Sequence, residues 1–126
     1  MRFSPVLFFV LFLCSPVMQA GAAGKSAQVS TSYIRQVCAR DGQGGEKLSG
    51  GSAVCQSYIA GVLDYHRMMA SMGYIGNLEI CMPADVTPRR KQDQVYRYIK
   101  RHNFDDDTNA APSVIMALHD RWGCAK

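Results

Sequence analysis

The chain has little of what enzymes use for chemistry. Histidine occurs three times in 126 residues, and no His-x-x-x-His ladder or Cys-x-x-Cys pair is present, so the usual zinc spacings are missing. A Gly-rich phosphate loop and a Gly-x-Ser-x-Gly turn are also missing, which removes the common nucleotide-binding and serine-hydrolase patterns. A thiol hydrolase needs a free cysteine beside a histidine. Cys55 and His66 share a predicted helix, but their spacing puts them about 16 Å apart along its axis. Cys124 lies near His119, yet a terminal cysteine in an exported chain is better read as bridged. His66 and His102 fall on or beside apolar faces, where a hydrogen-bonded histidine is commoner than a catalytic one. The sequence therefore offers no active site, no metal site and no cofactor motif. It also lacks internal repeats, low-complexity tracts and convincing strands.

No apolar run reaches the length of about 20 residues that a spanning helix needs. The longest, Val6 to Leu13, is instead part of a leader. Arg2 gives a positive start, the apolar run follows, and Ala20-Gly21-Ala22 supplies small residues for cleavage. Residues 1–22 are read as a cleaved secretory signal and 23–126 as one helical domain. Cys14 lies inside the apolar run, but bulky Leu13 precedes it where a lipid-attachment cysteine has a small neighbour. The net charge of +4 falls by one when Arg2 leaves with the leader. So mild an excess does not define a nucleic-acid binder.

Removal of Cys14 leaves an even set of four of the five cysteines. In a small exported chain that set reads as a disulfide framework in an oxidising compartment.

Four segments carry helical periodicity. The first runs from about Ser30 to Arg40, with Tyr33, Ile34, Val37 and Cys38 on one face, and ends at Asp41-Gly42-Gln43-Gly44-Gly45. The second runs from about Ser52 to Met72. Its apolar face holds Val54, Cys55, Tyr58, Ile59, Val62, Tyr65, Met69 and Met72, and marks it as the central helix. The third has Thr87 as N-cap and Pro88 at its first position, with Asp85 nearby. It continues to about Arg101 and buries Val95, Tyr98, Ile99 and His102. The fourth opens at Thr108 or Asn109, tolerates Pro112 in its first turn and stops at Gly123. Ala111, Val114, Ile115, Leu118 and Trp122 form its inward stripe. Short connections favour antiparallel neighbours, so the expected fold is all-α, a small disulfide-stapled up-down bundle of four main helices.

Four cysteines permit three pairings, and the up-down order selects among them. Cys38 ends the first helix and Cys55 begins the second, at one end of the bundle. Cys81 precedes the third helix and Cys124 follows the fourth, at the other end. The expected bridges are Cys38–Cys55 and Cys81–Cys124.

Three surface features remain. Arg90, Arg97 and Arg101 form a basic stripe on the third helix, ordinarily a solvated face. Met68, Met69 and Met72 could form an adaptable binding surface, but methionines at helical spacing are usually core filler. Two loops are more suggestive of binding. Gly73-Tyr74-Ile75-Gly76-Asn77-Leu78-Glu79-Ile80 sets apolar groups between glycines, as protein-binding loops do around an aromatic anchor. Asp105-Asp106-Asp107 can present carboxylates to a basic cleft.

Set in order, Cys55-Gln56-Ser57-Tyr58-Ile59-Ala60-Gly61 with Asp64, Ile80-Cys81-Met82-Pro83 with Val86-Thr87, the helix containing Gln92, Val95, Tyr98 and Ile99, and Ala117-Leu118 with Trp122-Gly123-Cys124 resemble the Rap/Tai family of periplasmic immunity proteins associated with bacterial type VI secretion. Gly123 stands where that family usually has proline. The resemblance implies a small, often dimeric helical protein, exported to the periplasm, whose partner is a peptidoglycan amidase effector with a papain-like Cys-His site. It implies inhibition by covering that site; the mild charge and export argue against nucleic acid as a partner, and the short apolar run against stable membrane insertion. The expected mechanism is steric occlusion by one loop. The leading contact residues are Tyr74, Ile75, Asn77 and Glu79; Asp105, Asp106 and Asp107 come second, as mimics of the acidic peptide stem. The rival expectation is a periplasmic acid-stress or holdase-type chaperone, which would protect many unrelated clients.

Overall fold

The computed structural model describes residues 28–125; the leader, its cleavage site and Cys14 lie outside them. Four helices follow in order: α1 Thr31–Val37, α2 Gly51–Ser71, α3 Pro88–His102 and α4 Ala110–Trp122. Each touches the other three. Among the described residues extended pairing is limited to isolated bridges, Ser30 with Asn109, Arg40 with Glu46 and Ile80 with Gly123. The protein is an all-α bundle.

Local chemistry accounts for the helix ends. The Ser30 hydroxyl accepts from the Tyr33 amide at the start of α1, and the Thr87 hydroxyl accepts from the Arg90 amide ahead of Pro88. Asn109 caps α4 through the Ala111 amide. Each bond satisfies an amide that the first helical turn leaves without a partner. The second helix has no side-chain cap; Gly50 turns into it at φ 74°, and Glu46 accepts the Gly50 amide at 2.7 Å. Gly51 opens α2 one residue earlier than its periodicity suggests. A Cβ there would lie 2.8 Å from the Val37 carbonyl oxygen, so only glycine lets α2 start this close to the end of α1.

The expected α1 overruns the observed helix by three residues at its C-terminal end. It closes at Val37 with Cys38 as C-cap, where the disulfide draws the chain toward α2. Cys38–Cys55 and Cys81–Cys124 are both formed, with sequence separations of 17 and 43. In the chain-entropy picture loops of these lengths contribute about 3 and about 4 kcal/mol. For a domain of this size, that rivals its whole stability.

The core is built from Ile34, Val37, Ile59, Leu63, Val95, Ile99, Val114 and Leu118 around the buried Cys38–Cys55 bridge. The inward register of α2 differs from expectation. Cys55, Ile59, Leu63 and His66 point inward, whereas Val54, Tyr65 and Met72 are exposed. The apolar arc of α2 is wider than its neighbours can cover, and the bridge at Cys55 sets which edge is buried. Tyr33 is likewise exposed. His102 is exposed, not buried. It stacks on Tyr98 with ring centroids 3.9 Å apart and donates from Nδ1 to the Tyr98 carbonyl.

The core also holds polar groups that periodicity does not announce. Gln92, 1% exposed, donates to the Cys38 carbonyl and the Ser52 hydroxyl and accepts from Gln56. Gln94 donates to the Ala117 carbonyl, and Thr31 meets Ser113 at 3.3 Å. The glutamine bonds tie α3 to the end of α1, to α2 and to α4, and the Thr31–Ser113 contact ties α1 to α4. They satisfy buried amides that would otherwise cost about 1–3 kcal/mol each.

Candidate functional site

The segment from Gly73 to Ile80 is a loop held firmly at both stems. At its start the Tyr74 amide bonds the Met69 carbonyl and the Gly73 amide bonds the Ala70 carbonyl, with Gly73 at φ 78°. This is the Schellman closure of a helix, for which a left-handed glycine is the favoured residue. At its end the Cys81 amide donates to the Trp122 carbonyl at 2.7 Å and the Cys124 amide to the Glu79 carbonyl at 3.1 Å. The Cys81–Cys124 bridge locks the same junction. Between the stems, His66 Nε2 donates to the Leu78 carbonyl at 2.9 Å.

So pinned, the loop presents a defined set of side chains. Tyr74 is 71% exposed and Leu78 is also exposed. Asn77 and Glu79 face solvent, Ile75 is half-buried, and Ile80 packs against the core. Asn77 and Glu79 also border a small groove with His119 on α4. An aromatic ring held out on a preformed loop loses little conformational entropy when a partner covers it.

Asp105, Asp106 and Asp107 are exposed, but their loop is tied to α1. The Ser32 amide donates to the Asp106 carbonyl and the Thr31 amide to the Thr108 carbonyl. The Asp106 carboxylate pairs with Arg35 at 2.7 Å. This loop precedes α4, whereas the Gly73–Ile80 loop is bonded to its far end. The 13 residues of α4 separate the two by about 20 Å. Tyr74, Ile75, Asn77 and Glu79 therefore form one surface, and the three aspartates form another.

Two further surfaces lie outside the loops that the sequence singled out, and on the first Met68 and Met72 are exposed where core filler was expected. The exposed edge of α2 carries Val54, Tyr65, Met68 and Met72, flanked by half-buried Tyr58 and Val62. Burial pushes the Tyr58 phenol above its ordinary pKa of 10.0, since the charged form is the one desolvation disfavours. The signal for this edge was present as the excess width of the α2 apolar face. The second is a groove between α1, α3 and the 39–48 loop, whose walls are brought together by the fold. The basic stripe is exposed as expected, although Arg101 approaches Asp120 at 3.7 Å. Among the described residues no group of three or more His, Cys, Asp or Glu is placed to hold a metal. Nor is any described helix long and apolar enough to cross a membrane.

Fold and site together define a small all-α bundle with two disulfides, of the kind stable in an oxidising compartment, whose distinctive surface is a pinned loop with an outward tyrosine. A family model for Rap1a immunity proteins matches residues 30–124. The chain belongs to this family. Membership makes it an immunity protein toward a type VI secretion effector, with a cognate effector as its partner. No curated protein and no solved structure matches it significantly.

Proposed function

We propose that the chain acts in the periplasm, where it binds a peptidoglycan amidase delivered by type VI secretion and blocks its papain-like Cys-His site. Residues 1–22 are the cleaved export signal and 23–126 the working domain. One observation carries the reading: the Gly73–Ile80 loop is fixed at both stems and holds Tyr74 out into solvent. A rigid projection with an aromatic tip suits a substrate cleft. Tyr74 and Ile75 enter as the apolar anchor, and Asn77 and Glu79 hydrogen-bond the rim. Asp105 and Asp107 form a second, separate contact, with Asp106 already engaged by Arg35. Occlusion needs no chemistry from this chain, so it is not an enzyme and takes no cofactor.

The exposed edge of α2 supports pairing of two copies, which would cover Tyr65 and Met68. The same edge is the one feature that would serve a holdase, by offering apolar surface to unfolded clients. Capture from lysate of the protein's own bacterium separates the two. The mature, oxidised chain should retain one stoichiometric peptidoglycan amidase and silence it on binding. A mixture of unrelated periplasmic proteins held only at acid pH would favour the holdase. If replacing the Gly73–Ile80 and Asp105–Asp107 loops with Gly/Ser leaves amidase affinity intact, the contact surface lies elsewhere.

A further inference from the structure

The groove between α1, α3 and the 39–48 loop has a volume of about 650 Å³, within the range of sites that hold ligands. Three cations line it, Arg35, Lys47 and Lys100, and no carboxylate residue does. Its apolar surface comes from Ala39, half-exposed Leu48 and the Tyr96 ring, with the Lys100 ammonium 6.0 Å from the ring centroid.

The nearest acids in sequence are turned to other work. Asp41 accepts from the Gln43 and Gly45 amides, and Glu46 accepts from the Gly50 amide. Lys47 and Lys100 are both exposed and enter no ion pair among the described residues. With Arg35 neutralised by Asp106, Lys47 and Lys100 keep an uncompensated positive charge beside the apolar floor. Asp106 shows what its wall accepts, for this carboxylate already sits on Arg35 at 2.7 Å.

The walls are also preformed. The Lys47 amide bonds the Ala39 carbonyl, the Arg40 and Glu46 backbones pair as an isolated bridge, and Cys38, next to Ala39, is tied to Cys55. The groove is open to solvent, which suits a polypeptide segment better than an enclosed small molecule.

We propose that this groove docks an acidic segment of a protein partner, with one bulky apolar side chain lying against Leu48 and Tyr96 between carboxylates held by Lys47 and Lys100. Identifying that partner as the amidase rests on the functional reading above; the chemistry of the groove does not. The surface is additional to the Tyr74 loop. It supplies electrostatic steering and register, the two things charge complementarity provides most effectively.

The test begins with a capped peptide of leucine flanked by glutamates, titrated into the ¹⁵N-labelled mature protein. Shifts are expected at the Lys47, Leu48, Tyr96 and Lys100 amides, weakening as salt rises and lost in the Lys47→Glu/Lys100→Glu variant. Shifts centred elsewhere, or equal binding of a control peptide with leucine flanked by lysines, would overturn the proposal. The captured amidase is then measured against the same variant, with Arg90→Glu/Arg97→Glu on the basic stripe of α3, outside the groove lining, as a control of equal charge. A loss of roughly tenfold or more in association rate in the first variant alone is expected. Equal losses in both variants would reduce the effect to overall charge. An amidase that binds wild type and the lysine variant alike would remove it as the occupant, with the occlusion reading untouched.

Discussion

His66 Nε2 donates to the Leu78 carbonyl oxygen at 2.9 Å, so a histidine near the C-terminal end of α2 holds the second half of the Gly73–Ile80 loop. His66 is 8% exposed and fills space as well as donating. It is thus a positioning residue for the surface that carries Tyr74.

His66→Ala should cost about 2 kcal/mol, from the lost packing and the stranded Leu78 carbonyl. More telling is where the loosening appears. Hydrogen exchange should speed up at the amides of Asn77 to Ile80 while the Val95 and Ile99 amides keep their protection. Uniform loss of protection would instead mean that His66 acts only through global stability.

The two disulfides should not yield together. Cys38 and Cys55 are fully buried, whereas Cys81 is exposed and Cys124 half-buried, and exchange requires access of the attacking thiolate. Brief mild reduction followed by alkylation should label Cys81 and Cys124 first, as read by peptide mass mapping. The singly reduced protein should keep its helical circular dichroism and lose affinity for its cognate effector, because the bridge anchors the loop's second stem. Labelling of Cys38 and Cys55 ahead of the outer pair would contradict this order.

Much of the architecture was legible because it is written locally. Thr87 before Pro88, Asn109 before α4 and the glycines at 50 and 73 each act within one turn of themselves. The width of the α2 apolar face was legible too, but not which edge turns inward. That choice depends on Cys55 reaching Cys38 and on His66 reaching Leu78, contacts between elements that periodicity does not encode. Gln92 and Gln94 were missed for the same reason: a polar residue reads as surface until its distant partners, such as the Cys38 carbonyl, are known. His102 was placed inside because it follows Ile99 on the same helix side, yet α3 ends there and leaves the ring stacked on Tyr98 in solvent. The site divides similarly. The composition of the Tyr74 loop was visible, while its pinning and the Arg35–Asp106 pair, 71 residues apart, belong to the fold.

Gln92→Leu keeps roughly the same volume but strands the Cys38 carbonyl and the Gln56 and Ser52 side chains. A loss of about 2–4 kcal/mol is expected. Urea denaturation should show a lower midpoint at unchanged slope, since the surface exposed on unfolding is the same. A near-neutral result would mean that water replaces the lost partner at this junction.

Gly61 sits within α2 on its exposed apolar edge, and a Cβ added there would meet nothing within 4 Å. The chain's own packing does not require a glycine here, although it lowers helix stability by roughly 1 kcal/mol relative to alanine. A neighbour approaching the backbone closely would account for it. Gly61 lines a shallow cleft with Ser57, Tyr58, Val62 and Tyr65, the edge on which two copies are proposed to pair. Gly61→Ala should therefore raise the denaturation midpoint of the dilute, monomeric protein and at the same time weaken self-association in sedimentation velocity. Tyr65→Glu should weaken association without the gain in stability, because Tyr65 is 62% exposed and contributes little to the core. If Gly61→Ala stabilises the chain and association is unchanged, two copies do not meet on this edge, and the glycine has no packing role in the oligomer.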